Sequence, residues 1–530
     1  MPHHTTTLLA ASVLSTLSLA QEPVCTWATS AGFDQSASIF TQYPEYIIEA
    51  DPVDGAVLFG MSVWVQNYSS DSYGRLQLVH FGSDGTVGWQ RDWWGSGTVS
   101  GLRYRADGML VAMGEYLDSL RVDDDHLLST SDNFPHAFIV ALDADGVTQW
   151  AIDLNEQFTQ ARRPRAPVFT AEGDLVFGLR SGTSRIVRMA MDGNVLGSIT
   201  QSPTELHGID VDAEGNLYVT GSCASAAGAT FNGITYVPGV SGNGYNRYLV
   251  RYRPDGTPAW ARFSGDVTCT TSEVRQDGAG ALYWAGLLFA EADFDTYHID
   301  GPTNGSTPDF HLCKLDTAGN YLWVREGPDG NGNGVGPGLQ QYLAIAGDGT
   351  ILLAGTGKGM LAWDEGITVQ INGASDPLLM GFDPDGMLRW CAQGVSADQF
   401  DKAHALGVGA DGSIYISGVS RQTITFGEQS VPINTNVNTP FVARYADLRT
   451  VISEAPNDGV SIHPVPATDR LFISSGGSVR LMSCMDALGR SVEVLLLNGS
   501  IDISALQPGT YMLTLEERGA WRSVHRFVKH

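Results

Sequence analysis

Apolar residues recur along this chain in short alternating runs, each bounded by an acidic residue and a glycine, and the runs fall into two series. The first is a turn, a strand and a closing glycine: DGAVLFG ends at Gly60, DGMLVAMG at Gly114, EGDLVFG at Gly178, EGNLYVTG at Gly221, DGAGALYWAG at Gly286, DGTILLAG at Gly355 and DGSIYISG at Gly418. The second is a strand, a turn and a tryptophan, as in LQLVHFGSDGTVGW to Trp89, FIVALDADGVTQW to Trp150, YLVRYRPDGTPAW to Trp260, FHLCKLDTAGNYLW to Trp323 and LLMGFDPDGMLRW to Trp390. One member, IVRMAMDGNVLG, carries Gly197 in the tryptophan slot, and the last, Phe441 to Asp447, stops before any glycine or tryptophan. Alternation with period two predicts half-buried strands, and an Asp-Gly pair predicts the tight turns between them, because glycine accepts positive φ and the aspartate caps nearby amides.

The two series alternate strictly, so one repeat holds four antiparallel strands, which is the content of one propeller blade. The stretch CTWATSAG, Cys25 to Gly32, supplies a fourth strand without a repeat, and the repeat ending at Asp447 lacks one. Trp27 precedes Trp89 by 62 residues, within one residue of the spacing from Trp89 to Trp150. Pairing Cys25–Thr29 with Phe441–Tyr445 therefore closes a ring of seven blades and removes the sheet edges that an open stack exposes. The expected fold is all-β: a seven-bladed β-propeller over 21–448, a linker over 449–459 (RTVISEAPNDG), and a small Ig-like β-sandwich over 460–530. These repeats resemble the seven-bladed β-propeller repeats of many exported bacterial proteins, whose units share the DGNxYxxG strand, the FVxxxxxDG strand and the following tryptophan. The resemblance covers roughly 25–447 and implies a fold, not an activity.

At the N-terminus the apolar run Leu8 to Ala20 ends in Ser18-Leu19-Ala20, which predicts a signal peptide over 1–20 and cleavage before Gln21, although the segment ahead of it carries His3 and His4 and no Lys or Arg. No later apolar run is long enough to span a bilayer, so no membrane insertion is expected. In the tail, three motifs stand out: Pro464, Pro466 and Ala467; Asp486, Gly489 and Arg490; Gly509 and Tyr511. They resemble the C-terminal sorting domain of the type IX secretion system of Bacteroidetes, with its Pro-x-Pro-Ala opening, Asp-x-x-Gly-Arg turn and Leu-x-x-Gly-x-Tyr strand; Val465 stands where Asn is usual. The resemblance implies the type IX machinery as partner, removal of the tail near the linker, and release or attachment at the outer-membrane surface. The competing reading is an ordinary Ig-like accessory domain that stays attached.

Among 530 residues there are 58 acidic and 31 basic side chains, a formal net charge of -27. A chain so acidic repels phosphate backbones and anionic membranes, which excludes nucleic acid as a partner class. Six cysteines lack metal or framework spacing, and read as buried small residues, with a Cys223–Cys269 bridge left open. The acidic run Asp123 to Asp125 lacks the spaced oxygens of a calcium loop. No GxSxG, HExxH or P-loop is present, and no cofactor is expected.

If the Asp-Gly turns fall at one end of the blades, the long connections Glu115 to Pro135, Ser222 to Asn246 and Leu287 to Pro308 fall at the other, where binding is usually carried. Counting seven residues back from each first-turn acidic residue gives a mostly polar ring at the channel: Ile47, Ser100, Arg165, His207, Thr270, Gln341 and His404. His207 and His404 stand three blades apart, too far to share one ion. The candidate ligand-binding residues are Arg165, His207, Gln341 and His404, together with Trp93 and Trp94, whose adjacent rings could stack on a sugar or a protein. The expectation is a non-catalytic propeller binding a glycan or protein; a hydrolase or lyase working at the channel mouth is the alternative.

Overall fold

The computed structural model describes residues 22–30, 47–52, 55, 57–66, 72–132, 134–225, 227–238, 245–265, 271–289, 291–301, 309–328, 333–397, 401–446, 461–463, 467–474, 479–486, 492, 494–497, 499–517 and 521–529. The signal-peptide and linker expectations, Cys269 and Thr270 fall outside them. The chain divides into two compact units, ending at Asp447 and beginning at Leu448. Both are all-β, and among the described residues the one helical element is a single 3-10 turn, Leu154–Glu156.

Unit one is a succession of antiparallel four-strand meanders. Ile47–Ala50, Val57–Gln66, Ser72–Phe81 and the first half of Val87–Tyr104 form one; the second half of that long strand opens the next, with Leu110–Arg121, His136–Leu142 and Thr148–Asp153. The same order recurs from Arg162–Phe169, Glu205–Val211, Ser272–Gln276 and Leu343–Ile345. In the last, Lys402–Val408, Ile414–Phe426 and Gln429–Ala446 are joined by Val24–Thr29, with Trp27 opposite Arg444.

What joins one meander to the next is the repeat tryptophan. The indole N–H of Trp27 donates to the Ser83 carbonyl (2.9 Å), Trp89 to Ala144 (3.1 Å), Trp150 to Met191 (2.8 Å), Trp260 to Thr317 (3.0 Å) and Trp323 to Pro384 (3.1 Å), always in the second tight turn of the following meander. The turn glycine is needed twice over. Gly146 has φ 71°, and a Cβ there would stand 2.8 Å from the Trp89 ring. Where Gly197 replaces the tryptophan, Ile199 packs against the turn glycine Gly256 instead, and Asn232 Nδ2 donates to the Gly256 carbonyl at 2.8 Å. Trp27 touches the first meander's turn at Ser83 and Gly85 while its strand pairs with the last, and Ile48, Phe81, Tyr415 and Val442 share one buried cluster.

The long connections are more regular than their lengths imply. Glu115 and the residues to Arg121 are still strand, and small hairpins follow at Ala229–Phe231/Ile234–Tyr236, Ala292–Phe294/Tyr297–Ile299 and Met360–Ala362/Thr368–Gln370. Such hairpins seat on the outer strand of the preceding meander: Gln201 pairs with Phe231, Gly394 with Phe426, and Trp94 with Arg121. Phe231, Phe294 and Phe426 are buried plugs of these hairpins. Edge protection, rather than binding, accounts for much of that length.

In unit two, Ser461–His463, Arg470–Ser474, Ser500–Asp502 and Leu496–Leu497 form one sheet, and Val479–Asp486, Gly509–Glu517 and Trp521–Lys529 another. Leu471, Cys484, Ile501, Leu513 and Phe527 bury together between them. Ala467 is buried and its N–H donates to the Val528 carbonyl at 2.8 Å. Tyr511 stacks on Phe527 and donates its hydroxyl to the Gln507 carbonyl. Gly509 opens the strand that carries Tyr511, and the Asp486 backbone pairs with that tyrosine. Pro464, Pro466, Gly489 and Arg490 lie outside the described residues.

Candidate functional site

The innermost strands that carry Ser100, Arg165, His207 and His404 break register at those residues. Ser100, His207 and His404 each fall in a bulge, between Val99 and Gly101, Leu206 and Gly208, and Ala403 and Ala405, and Arg165 lies between two such breaks. A bulge leaves one residue out of the ladder and re-aims its side chain. Gln341 reaches the same end by a left-handed backbone, φ 50°. The result is that Ser100, Arg165, His207, Gln341 and His404 line one cavity of about 660 Å³, within the range that small ligands occupy. The expected ring is not reproduced throughout: Ile47 is fully buried among Leu76, Leu78 and Leu102, and Thr271, just ahead of the strand Ser272–Gln276, lines the cavity.

The tryptophan pair separates. Trp93 has no exposure and meets Phe138 edge-on, so its faces are covered and it cannot stack on a ligand; this corrects the expectation for that residue. Trp94, on the opposite side of the same strand, is half-exposed with the Arg75 guanidinium 5.8 Å from its ring centre, and it is not among the cavity-lining residues. Alternation along a strand dictates that adjacent residues face opposite ways.

Deeper in the cavity lies a charged layer that the ring count missed. Arg103, Asp210, Glu273 and Arg275 line it, and Glu49 stands behind. Arg275 bonds Glu273 at 2.9 Å and Arg103 bonds Glu49 at 3.3 Å. Asp210 accepts the Gln276 N–H at 2.7 Å, and Glu273 accepts that of Gln341 at 2.9 Å. Burial pushes the carboxyls of Glu49, Asp210 and Glu273 above their usual range, against the pull of the arginines. Arg103 and Asp210 stand three residues beyond Ser100 and His207, so a second count further along each strand would have found them.

Burial, and then the charge of Arg165, hold His207 down to about 3; burial, and then Lys402, do the same for His404. Both imidazoles are neutral at ordinary pH. His207 Nδ1 lies 3.3 Å from the Ser272 hydroxyl.

A second polar cluster borders a separate hollow of about 840 Å³. His136 Nδ1 is 2.6 Å from Asp153, Tyr116 donates to the same carboxylate at 2.9 Å, and His136 Nε2 is 3.0 Å from the Thr130 hydroxyl. This has the connectivity of a nucleophile, base and orienting acid, but Asp132 accepts the Thr130 proton at 2.8 Å and stands 3.1 Å from Nε2. The imidazole is clamped between two carboxylates and serves to fasten the Leu127–Ser129 hairpin to the sheet.

Residues 461–530 match the family described as the secretion system C-terminal sorting domain. The tail therefore implies export and the type IX machinery as partner. Among solved structures, the chain is similar to a protein of unknown function from Bacteroides caccae (11% identity over 66% of this chain and 94% of that one, TM-score 0.33). It is similar to the Dos1 propeller (8%, covering 80% and 96%, TM-score 0.39) and to a gluconolactonase from Xanthomonas campestris (12%, covering 67% and 90%, TM-score 0.31). No curated protein matches. No helix among the described residues is long and apolar enough to cross a membrane.

Proposed function

We propose that this chain is a secreted binding protein. Its residues 21–448 form a seven-bladed β-propeller closed by the N-terminal strand, behind a signal peptide over 1–20. The linker 449–459 leads to an Ig-like tail, 460–530, that directs type IX export to the surface or the medium. The bond from Trp27 to the first meander's turn supports closure, because it repeats the bond that joins the other neighbours.

The ligand is an extracellular glycan or protein group, and the observation that carries this reading is the single cavity into which bulges on different innermost strands turn polar side chains. The hydrolase or lyase alternative would use Arg165, His207 and His404. Two imidazoles held near 3 are poor proton acceptors at neutral pH, which favours binding over base catalysis.

Two measurements test the proposal. Mass spectrometry of both termini in the native host should find a mature form beginning at Gln21 and ending between 449 and 459; a secreted form that keeps Lys529-His530 would sink the cleavage reading. On a glycan array the mature protein should bind, and Gln340→Trp, which adds an indole's bulk to the cavity wall, should lose that binding. Equal binding by both proteins would place the site elsewhere.

A further inference from the structure

The cavity is chemically unlike the molecule that holds it. The chain as a whole carries a net charge of -27, yet the cavity lining holds five cations, Arg103, Arg165, Arg275, Lys402 and Arg421, against the carboxylates Asp210 and Glu273. The charges are layered. At the deep end, Arg275 is matched by Glu273 and Arg103 by Glu49, and Asp210 adds a further carboxyl, so that layer holds no excess of cations. At the mouth, Arg165 donates Nη1 to the Leu206 carbonyl at 3.3 Å, a neutral oxygen, and forms no ion pair among the described residues. Lys402 is exposed at the start of its innermost strand. Each cation neighbours a neutral imidazole: Arg165 acts on His207, and Lys402 on His404. A cation beside an uncharged donor or acceptor can take a carboxylate and an adjacent hydroxyl together.

Three further observations narrow the class. Among the described residues no Phe, Tyr or Trp side chain lines the cavity, so a neutral sugar finds none of the usual stacking surfaces there. Acceptors are plentiful, since Asp210, Glu273 and Gln341 all line it and Gln341 Oε1 is buried without a hydrogen-bond partner. Hydroxyl donors on a ligand would answer those acceptors while its anionic group faces the mouth. A polyanion is repelled by the rest of so acidic a surface and attracted only where these cations gather.

We infer that the cavity binds a polyhydroxylated carboxylate, a hexuronate residue, whose carboxylate faces the cations Arg165 and Lys402 and whose hydroxyls face Gln341, Asp210 and Glu273. This deepens the binding reading above and rests on it. The same unit could arrive as a free sugar acid or as the end of an acidic polysaccharide, and the test separates the two.

Titration calorimetry on the mature protein would compare three probes: galacturonate, its trisaccharide, and the neutral galactose trisaccharide. The acidic trisaccharide should bind at least tenfold more tightly than the neutral one and weaken with added salt, as exposed charge pairs do. Arg165→Gln and Lys402→Gln should each weaken it by about tenfold, the scale of a lost charged hydrogen bond. Both variants must keep the wild-type unfolding midpoint. Free galacturonate binding as tightly as the trisaccharide identifies a free sugar acid; tighter trisaccharide binding identifies a polymer end.

Equal affinity for acidic and neutral trisaccharides, or wild-type affinity in both variants, would overturn the inference. If the neutral sugar binds and Gln340→Trp abolishes it, the cavity stands as a ligand site and only its preference for acids fails. If acidic sugar binds Gln340→Trp as it binds the wild type, both readings fail. No binding of any probe overturns the hexuronate class, and the array result then decides the cavity alone.

Discussion

The two ends of the meanders in unit one are built from the same repeat and have diverged in opposite ways. At the turn end, five tryptophans make one and the same bond to the neighbouring turn, and where the residue changes to Gly197 the contact is kept by Ile199 and Asn232. At the cavity end, equivalent strands present serine, arginine, histidine and glutamine. A position that repeats, and is compensated when it does not, carries the architecture; positions that differ within one geometric frame are where a site has been placed. Bulges make the second end possible, since they turn a side chain out of the ladder without breaking the strand.

The sharpest way to break this contrast is to remove an indole at each end. Trp260 is 9% exposed and lies against the Thr317–Gly319 turn, where the Arg262 side chain also donates to Gly319. Trp260→Ala should cost about 3–5 kcal/mol, the range for emptying an aromatic site, whereas Trp94→Ala, half-exposed, should cost about 0.5 kcal/mol or less. Urea unfolding of both variants checks this, and similar losses would refute the assignment of structural weight to the turn end. Next in size is the deep charged layer. Arg275→Met leaves Glu273 without its 2.9 Å partner and should destabilise by about 3 kcal/mol, the consequence of stranding a buried charge. A near-neutral result would mean that water, rather than Arg275, satisfies those carboxylates.

The turn end was legible in the sequence because its residues recur in register. Asp-Gly pairs and tryptophans at a constant spacing announce a repeat, and the Cys25–Gly32 stretch announced its own partner by fitting the gap. The cavity was legible only in part. Counting back to Arg165, His207, Gln341 and His404 worked because each stands at the same depth, but the count assumed regular strands, and a bulge shifts which neighbours face inward. Ile47, on a strand with no register shift, stays in the ladder and packs into the core, and a count of one position per strand passes over Arg103, Asp210, Glu273 and Arg275. Trp93 and Trp94 read as one feature because sequence adjacency conceals opposite faces. The hairpins behind Phe231 and Phe294 read as variable loops, because their strands of three residues are too short for a periodicity to show.

The smallest effect is the one that joins the two ends of the argument, because it tests whether the cavity imidazoles are as dry as their surroundings imply. His404 is 3% exposed and its folded-state value is lowered to about 3, below the ordinary histidine value of about 6.5. Above that ordinary value the imidazole is neutral in both states and contributes no pH dependence. As pH falls below it, the unfolded chain takes up a proton that the folded chain refuses, so stability is lost progressively down to about 3. Between pH 7 and 5 the loss is about 2 kcal/mol for one fully desolvated histidine, and His207, held down to about the same value, adds a loss of the same sign. Glu49, Asp210 and Glu273 act with the opposite sign: their raised values let the folded state protonate first, so acid relieves their burial. The wild-type slope is thus a difference of two terms, and the informative quantity is the change in slope on His404→Gln, which removes one titrating group and leaves the carboxyls in place. Urea midpoints at pH 7 and pH 5 should fall by less in His404→Gln than in the wild type. An unchanged slope would mean that His404 protonates as readily folded as unfolded, and the cavity would then be wet enough for its histidines to serve as bases.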